Sequence, residues 1–254
     1  MYDWPEVRGQ NDAFWEQVVA ALARRGIVAP ASLDRDDHLT SIWRHPDLLL
    51  GQTCGLPLVR GEAGTAIPVA RPSYAVEGCG PGNYRSVLLA RKGFGDTLSE
   101  FQGKRVAING WDSQSGCNAL KDAFFDMLSH GPFFSDVLVS GAHRKSADLV
   151  AMGDADICAL DAVAWALYQQ VQSERATQLE EIHWTRAMPS LPYITSTSHE
   201  GDVEIIREAI AESLAANGPA IPIGVLPATR ADYLPVHEMD RRVASLILAQ
   251  PSSA

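Results

Sequence analysis

His45-Pro46-Asp47-Leu48-Leu49-Leu50-Gly51-Gln52 and Asp154-Ala155-Asp156-Ile157-Cys158-Ala159-Leu160-Asp161 are two versions of one pattern. Each follows a helical stretch and opens a short apolar strand with an aspartate. Five residues later, at the strand's carboxyl end, each places a hydrogen-bonding side chain. A second echo follows: Ile67-Pro68-Val69-Ala70-Arg71-Pro72-Ser73-Tyr74 against Ile182-His183-Trp184-Thr185-Arg186, then Pro189-Ser190-Leu191-Pro192-Tyr193. Together they predict two similar α/β lobes, with polar groups at carboxyl strand ends, where open sheets hold ligands.

The surrounding periodicity fills in the same picture. Phe14, Val18, Ala21 and Leu22 share one face of a helix over 10–25, which Gly26 can stop in the left-handed conformation. A second helix runs over 36–44, ended by Pro46. Strands are predicted at 47–51, 66–70, 84–90, 105–109, 136–140 and 157–160, with helices at 117–128, 147–152, 162–172 and 203–216. Strand and helix alternate, so the chain reads as α/β with mainly parallel pairing in each lobe. The segments 85–90 and 191–195 can carry the chain between lobes. That assigns 1–90 and 190–254 to the first lobe and 91–189 to the second.

The composition narrows the partners. The 31 Asp and Glu outnumber the 21 Lys and Arg, for a net charge of −10. Such a surface repels a phosphate backbone or an anionic bilayer, so nucleic acid and polybasic membrane attachment are disfavoured. No apolar run approaches the ~20 residues that span a bilayer. The first residues, Met1-Tyr2-Asp3-Trp4-Pro5-Glu6, do not read as a signal peptide. The expected location is therefore periplasmic if a leader has been removed and cytoplasmic otherwise. Four scattered cysteines make no disulfide scaffold, although Cys54 and Cys79 flank predicted strands and could be bridged. Neither a zinc spacing nor a dinucleotide fingerprint occurs, so no metal or cofactor is implied.

The chemistry concentrates in Arg105-Val106-Ala107-Ile108-Asn109-Gly110-Trp111-Asp112-Ser113-Gln114-Ser115-Gly116-Cys117-Asn118-Ala119-Leu120. A strand, a polar turn and a helix start leave backbone N–H groups unpaired at the positive end of the helix dipole, which suits an anion. Ser113 and Ser115 add hydroxyl donors, and Gly116 allows close backbone approach. The plainer alternative is that Asp112 or Ser113 only caps the helix. His143, after another predicted strand, could face an oxyanion or be structural. Asp161 could cap its helix, orient His143, or accept from a ligand's amine or acid proton. Gln52, Thr53 and Gly55 are the first-lobe counterparts, with Tyr2 and Asp3 at the same rim if a strand precedes them. Tyr84 either closes over a ligand or packs under a loop. No Gly-x-Ser-x-Gly or His-Glu-x-x-His occurs, and no nucleophile and base pair stands out, so no catalytic residue is assigned.

Several of these segments resemble the phosphate/phosphonate substrate-binding proteins of ABC transporters. They are Asp47-Leu48-Leu49-Leu50-Gly51-Gln52-Thr53-Cys54-Gly55, Asp112 to Leu120, Ser140-Gly141-Ala142-His143, Ala155 to Asp161, and Pro227-Ala228-Thr229-Arg230-Ala231-Asp232-Tyr233. The resemblance implies a two-lobed type 2 periplasmic-binding-protein fold with the ligand held at the hinge. It implies that Ser113, Gln114, Ser115 and Gly116 grip the oxyanion, that Tyr84 and His143 contribute, and that a carboxylate near Asp161 takes an amine in some members. The expected function is a solute-binding protein of an ABC uptake system, closing on phosphate, phosphonate or a related oxyanion, with an ABC permease as partner. Two other readings of the same fold are a cleft enzyme of the thiamin-pyrimidine or menaquinone-pathway type and a cytosolic ligand sensor.

Overall fold

The computed structural model describes residues 1–214 and 218–250. The chain divides into two compact units. One is Met1–Asn83 with Pro189–Pro235, and the other is Tyr84–Met188 with Val236–Ala254. Apart from a one-residue shift at Pro189, these limits differ from the expected lobes in two places. Residues 84–90 belong with the second unit because the strand Ser86–Arg91 is central to its sheet. The C-terminal residues from Val236 also belong there, because Phe133 and Phe134 both donate their N–H to the Leu248 carbonyl.

In the first unit, the helix Arg8–Ala23 buries Phe14, Val18, Ala21 and Leu22. It ends in a left-handed turn at Gly26 (φ +79°), with Ile27 N–H bonded to Leu22 O and Gly26 N–H to Ala23 O. That double closure is what a glycine just past a helix supplies. Its apolar face meets Ile206 and Ile210 of the helix Val203–Glu212, together with Val69 and Ala70 of the sheet. The predicted extension of this last helix over 215–216 lies outside the described residues.

The sheet of this unit places Gly51–Gln52, Tyr193–Thr195, Ile67–Ser73 and Gly224–Pro227 side by side. All three pairings are antiparallel, which corrects the expectation of mainly parallel pairing. The cause is an inserted strand. The helix Val203–Glu212 links two strands that run the same way, Tyr193–Thr195 and Gly224–Pro227, the second of them not among the expected strands. Ile67–Ser73 lies between them and runs opposite to both. The predicted strand 47–51 is also mostly absent. Leu48 N–H bonds to His45 O in a turn, and only Gly51–Gln52 is extended.

The second unit repeats the device. Its five-stranded sheet runs Asp136–Val139, Arg105–Ile108, Ile157–Asp161, Ser86–Arg91, Leu179–Trp184. The first three are parallel neighbours. Ser86–Arg91 then runs antiparallel between Ile157–Asp161 and Leu179–Trp184, which the helix Ala162–Val171 connects. Val87, Leu88, Leu89, Val106, Ile157 and Leu160 are fully buried. Continuous apolar runs of this kind mark strands covered on both faces. Each unit thus has one strand threaded between two that a helix joins, but the sequence echoes do not mark it: Ile67–Ser73 is the threaded strand of its unit, whereas its echo falls on Leu179–Trp184, one of the joined pair. No disulfide joins Cys54 to Cys79.

Candidate functional site

The second unit gathers five of the expected residues at carboxyl strand ends. After Arg105–Ile108, Ser113 caps a helical turn over Gln114–Asn118, its Oγ accepting from Gly116 N–H at 3.0 Å. This turn is π-helical and runs directly into Ala119–Ala123. Its residues are all buried. The N–H groups of a first helical turn have no partner within the helix. Gly116 is required there by space: a Cβ would lie 1.8 Å from Asn109 Oδ1 and 3.2 Å from His143 Cε1.

Ser115 Oγ lies 2.8 Å from His143 Nε2. The same nitrogen is 3.3 Å from Asp161 Oδ2, and Asp161 Oδ1 accepts from Ala164 N–H at 2.8 Å as the cap of the helix Ala162–Val171. His143 opens its own helix, His143–Met152, with 14% of its side chain exposed. Serine, histidine and aspartate in contact invite comparison with a hydrolytic triad, but the geometry is different. A triad uses both ring nitrogens, Nδ1–H toward the carboxylate and bare Nε2 toward the hydroxyl. Here Nε2 faces both groups, and Nδ1 is buried without a hydrogen bond. The cluster can donate to an anion but has no base aligned to draw a proton from Ser115.

Burial pushes the His143 imidazole below its ordinary value of 6.5, opposed by the charge of Asp161 and by the Ala159 backbone. A base whose folded-state value is lowered supports folding fully above pH 6.5, and that support is lost as pH falls from 6.5 to the lowered value. Wild type should therefore lose thermal stability relative to His143→Gln over that acidic window. Melting curves of the two proteins that stay parallel from pH 7.5 to 5 would refute this placement of the imidazole.

Gln114 departs from its expected role: its Nε2 donates to Met239 Sδ in the helix Leu234–Val243, away from the serines. Asn118 Nδ2 likewise bonds to Asp240 Oδ1 at 3.0 Å, so the C-terminal helix pins this turn from behind. Tyr84 is buried at the first position of the unit. Two residues escaped the sequence reading. Asn109 carries a buried Oδ1 without a hydrogen bond, and so does Ser86 at Oγ. Ser86 is the direct cross-strand partner of Asp161, so the two side chains share a face. A polar residue closing an apolar strand was the available signal for Asn109.

In the first unit, Gln52 Nε2 lies 3.2 Å from both Tyr74 Oη and Leu191 O. Tyr2 meets Tyr74 edge-on at 5.8 Å between ring centroids. Tyr74, quoted within an echo but not singled out, is what links Tyr2 to Gln52. Thr53 is fully buried, with its N–H bonded to Pro192 O at 3.1 Å. Asp3 instead ties down the chain start, with Asn11 Nδ2 at 2.9 Å and Arg35 Nε at 2.7 Å. Among the described residues no group of His, Cys, Asp and Glu is arranged to hold a metal ion.

Residues 47–220, more than half of the chain, match the family described as the periplasmic substrate-binding protein of the phosphonate ABC transporter. The chain belongs to this family. Members of the phosphonate-binding family are solute-binding proteins and not enzymes, and membership implies a small ligand and a permease partner. The family is periplasmic, and no helix among the described residues is long and apolar enough to cross a membrane.

Solved structures share the two-lobed fold at low identity. A binding protein component of an ABC phosphonate transporter from Pseudomonas aeruginosa, PA3383, aligns with a TM-score of 0.72 at 15% identity, over 93% of this chain and 82% of that one. PhnD1 from Prochlorococcus marinus, solved in complex with methylphosphonate, gives 0.68 at 16%, over 94% and 95%. XAC2383 from Xanthomonas citri, solved bound to ATP, gives 0.66 at 18%, over 92% of each chain. No curated protein matches the chain.

Proposed function

We propose that this member of the family takes a phosphonate or phosphate oxyanion, held in its second unit by the helix start Ser113–Asn118, and delivers it to the permease. The observation that carries this reading is the side-chain-free backbone at Gly116, packed so closely that a Cβ would meet Asn109 Oδ1 at 1.8 Å. A backbone without a side chain lies against Asn109 and His143, between two serine hydroxyls, at the positive end of a helix. Hydrogen bonds from such donors to an anion are stronger than neutral ones. They carry no net charge, so a protein of net −10 can still hold an anion there.

Isothermal titration with methylphosphonate, 2-aminoethylphosphonate and inorganic phosphate at physiological salt tests the proposal. Submicromolar to micromolar binding of at least one is expected. Ser115→Ala should weaken it by about tenfold or more, the worth of one hydrogen bond to a charged group. No binding of any of the three below millimolar concentration would sink the reading.

A further inference from the structure

We infer that Asp161 is a positioning residue and not a ligand contact: it fixes His143 so that the Ser115 hydroxyl keeps its proton for the oxyanion. This deepens the oxyanion reading above and rests on it. Asp161 is only 2% exposed, and both of its oxygens are engaged. Oδ1 accepts the Ala164 N–H at 2.8 Å, and Oδ2 lies 3.3 Å from His143 Nε2. An ionised carboxylate can only accept, and a neutral imidazole carries one proton. The proton therefore sits on Nε2, since a bare Nε2 would set its lone pair against the carboxylate. From there it also faces Ser115 Oγ at 2.8 Å. Ser115 then accepts, and its own O–H is left to donate.

The test combines calorimetry with nitrogen-15 NMR of the histidine side chains. The free protein should show His143 with its proton on Nε2. In Asp161→Asn the Nε2 proton signature should be lost, and methylphosphonate and 2-aminoethylphosphonate should weaken by a similar factor. A loss in Asp161→Asn confined to 2-aminoethylphosphonate would overturn the inference. So would a proton on Nδ1 in the wild-type protein, whatever that protein binds, and this measurement does not depend on the variant folding. If the proton is on Nε2 yet none of the three anions binds, the oxyanion reading itself fails.

Discussion

Gly116→Ala should lower oxyanion affinity by about a hundredfold, the equivalent of roughly 3 kcal/mol or two lost charge-assisted hydrogen bonds. The new methyl group would sit 1.8 Å from Asn109 Oδ1, 2.7 Å from Asn109 Cγ and 3.2 Å from His143 Cε1. Neither side can yield without consequence. Retreat of the helix start would pull on Gln114 and Asn118, which are bonded to Met239 and Asp240 of the C-terminal helix. Retreat of Asn109 would displace a side chain whose oxygen is already buried, and pressure on His143 would spoil its contact with Ser115. Gly116 does not have a positive φ, so the backbone there suits any residue and the cost is purely steric.

That separation makes the stability readout decisive. In an unobstructed helix, alanine is favoured over glycine by about 1 kcal/mol. Crowding of a packed interior instead costs about 1–3 kcal/mol. Urea unfolding should show Gly116→Ala less stable than wild type, and adding Asn109→Ala should restore most of the loss. A single variant that is more stable than wild type and still binds the anion would show that this turn is an ordinary cap.

How much of this was legible in the sequence depends on whether a feature is local. The helix start at Ser113 was readable because the capping hydroxyl and the glycine lie within four residues of one another. The helix Arg8–Ala23 and its stop at Gly26 were readable for the same reason. Strand direction was not. Gly224–Pro227 was not among the expected strands, and nothing local says that Ile67–Ser73, more than a hundred residues earlier, inserts between it and Tyr193–Thr195. The run Leu48-Leu49-Leu50 read as a strand because apolar periodicity cannot tell a buried strand from a buried turn. Gln114 has the composition of a ligand contact, and only the return of the C-terminal helix turns it toward Met239. Asp161 was left between three roles by its sequence context, and the structure shows it capping Ala162–Val171 and facing His143 at the same time.

Phe124→Ala should cost the second unit about 3–5 kcal/mol, the usual range for emptying a buried aromatic site. Against a typical total of about 5–15 kcal/mol, that threatens the fold of the unit. Phe124 is fully buried and stands at the break between the helical segments Ala119–Ala123 and Phe125–Leu128, with φ −95° and ψ 15°. Its ring packs on Phe133 and Phe134 at centroid distances of 5.4 and 5.0 Å, and those two rings meet edge-on at 5.2 Å. The same two residues bond through their N–H groups to Leu248 O at 3.1 and 2.9 Å. The trio therefore joins the helix that begins at Ser113 to the segment around Leu248 and Ala249, and a cavity at its centre loosens both. Phe124→Leu keeps most of the volume and should cost less than about 1.5 kcal/mol, as near-isosteric apolar exchanges do. For a unit of this size, the alanine variant should melt on the order of 10 °C lower, from the few degrees each kcal/mol is worth. Oxyanion binding below the new transition should persist, because the ring contacts of Phe124 are with Phe133 and Phe134. A melting point within about 2 °C of wild type would mean that the three rings are not packed as described, and the anchoring of the C-terminal segment would need another source.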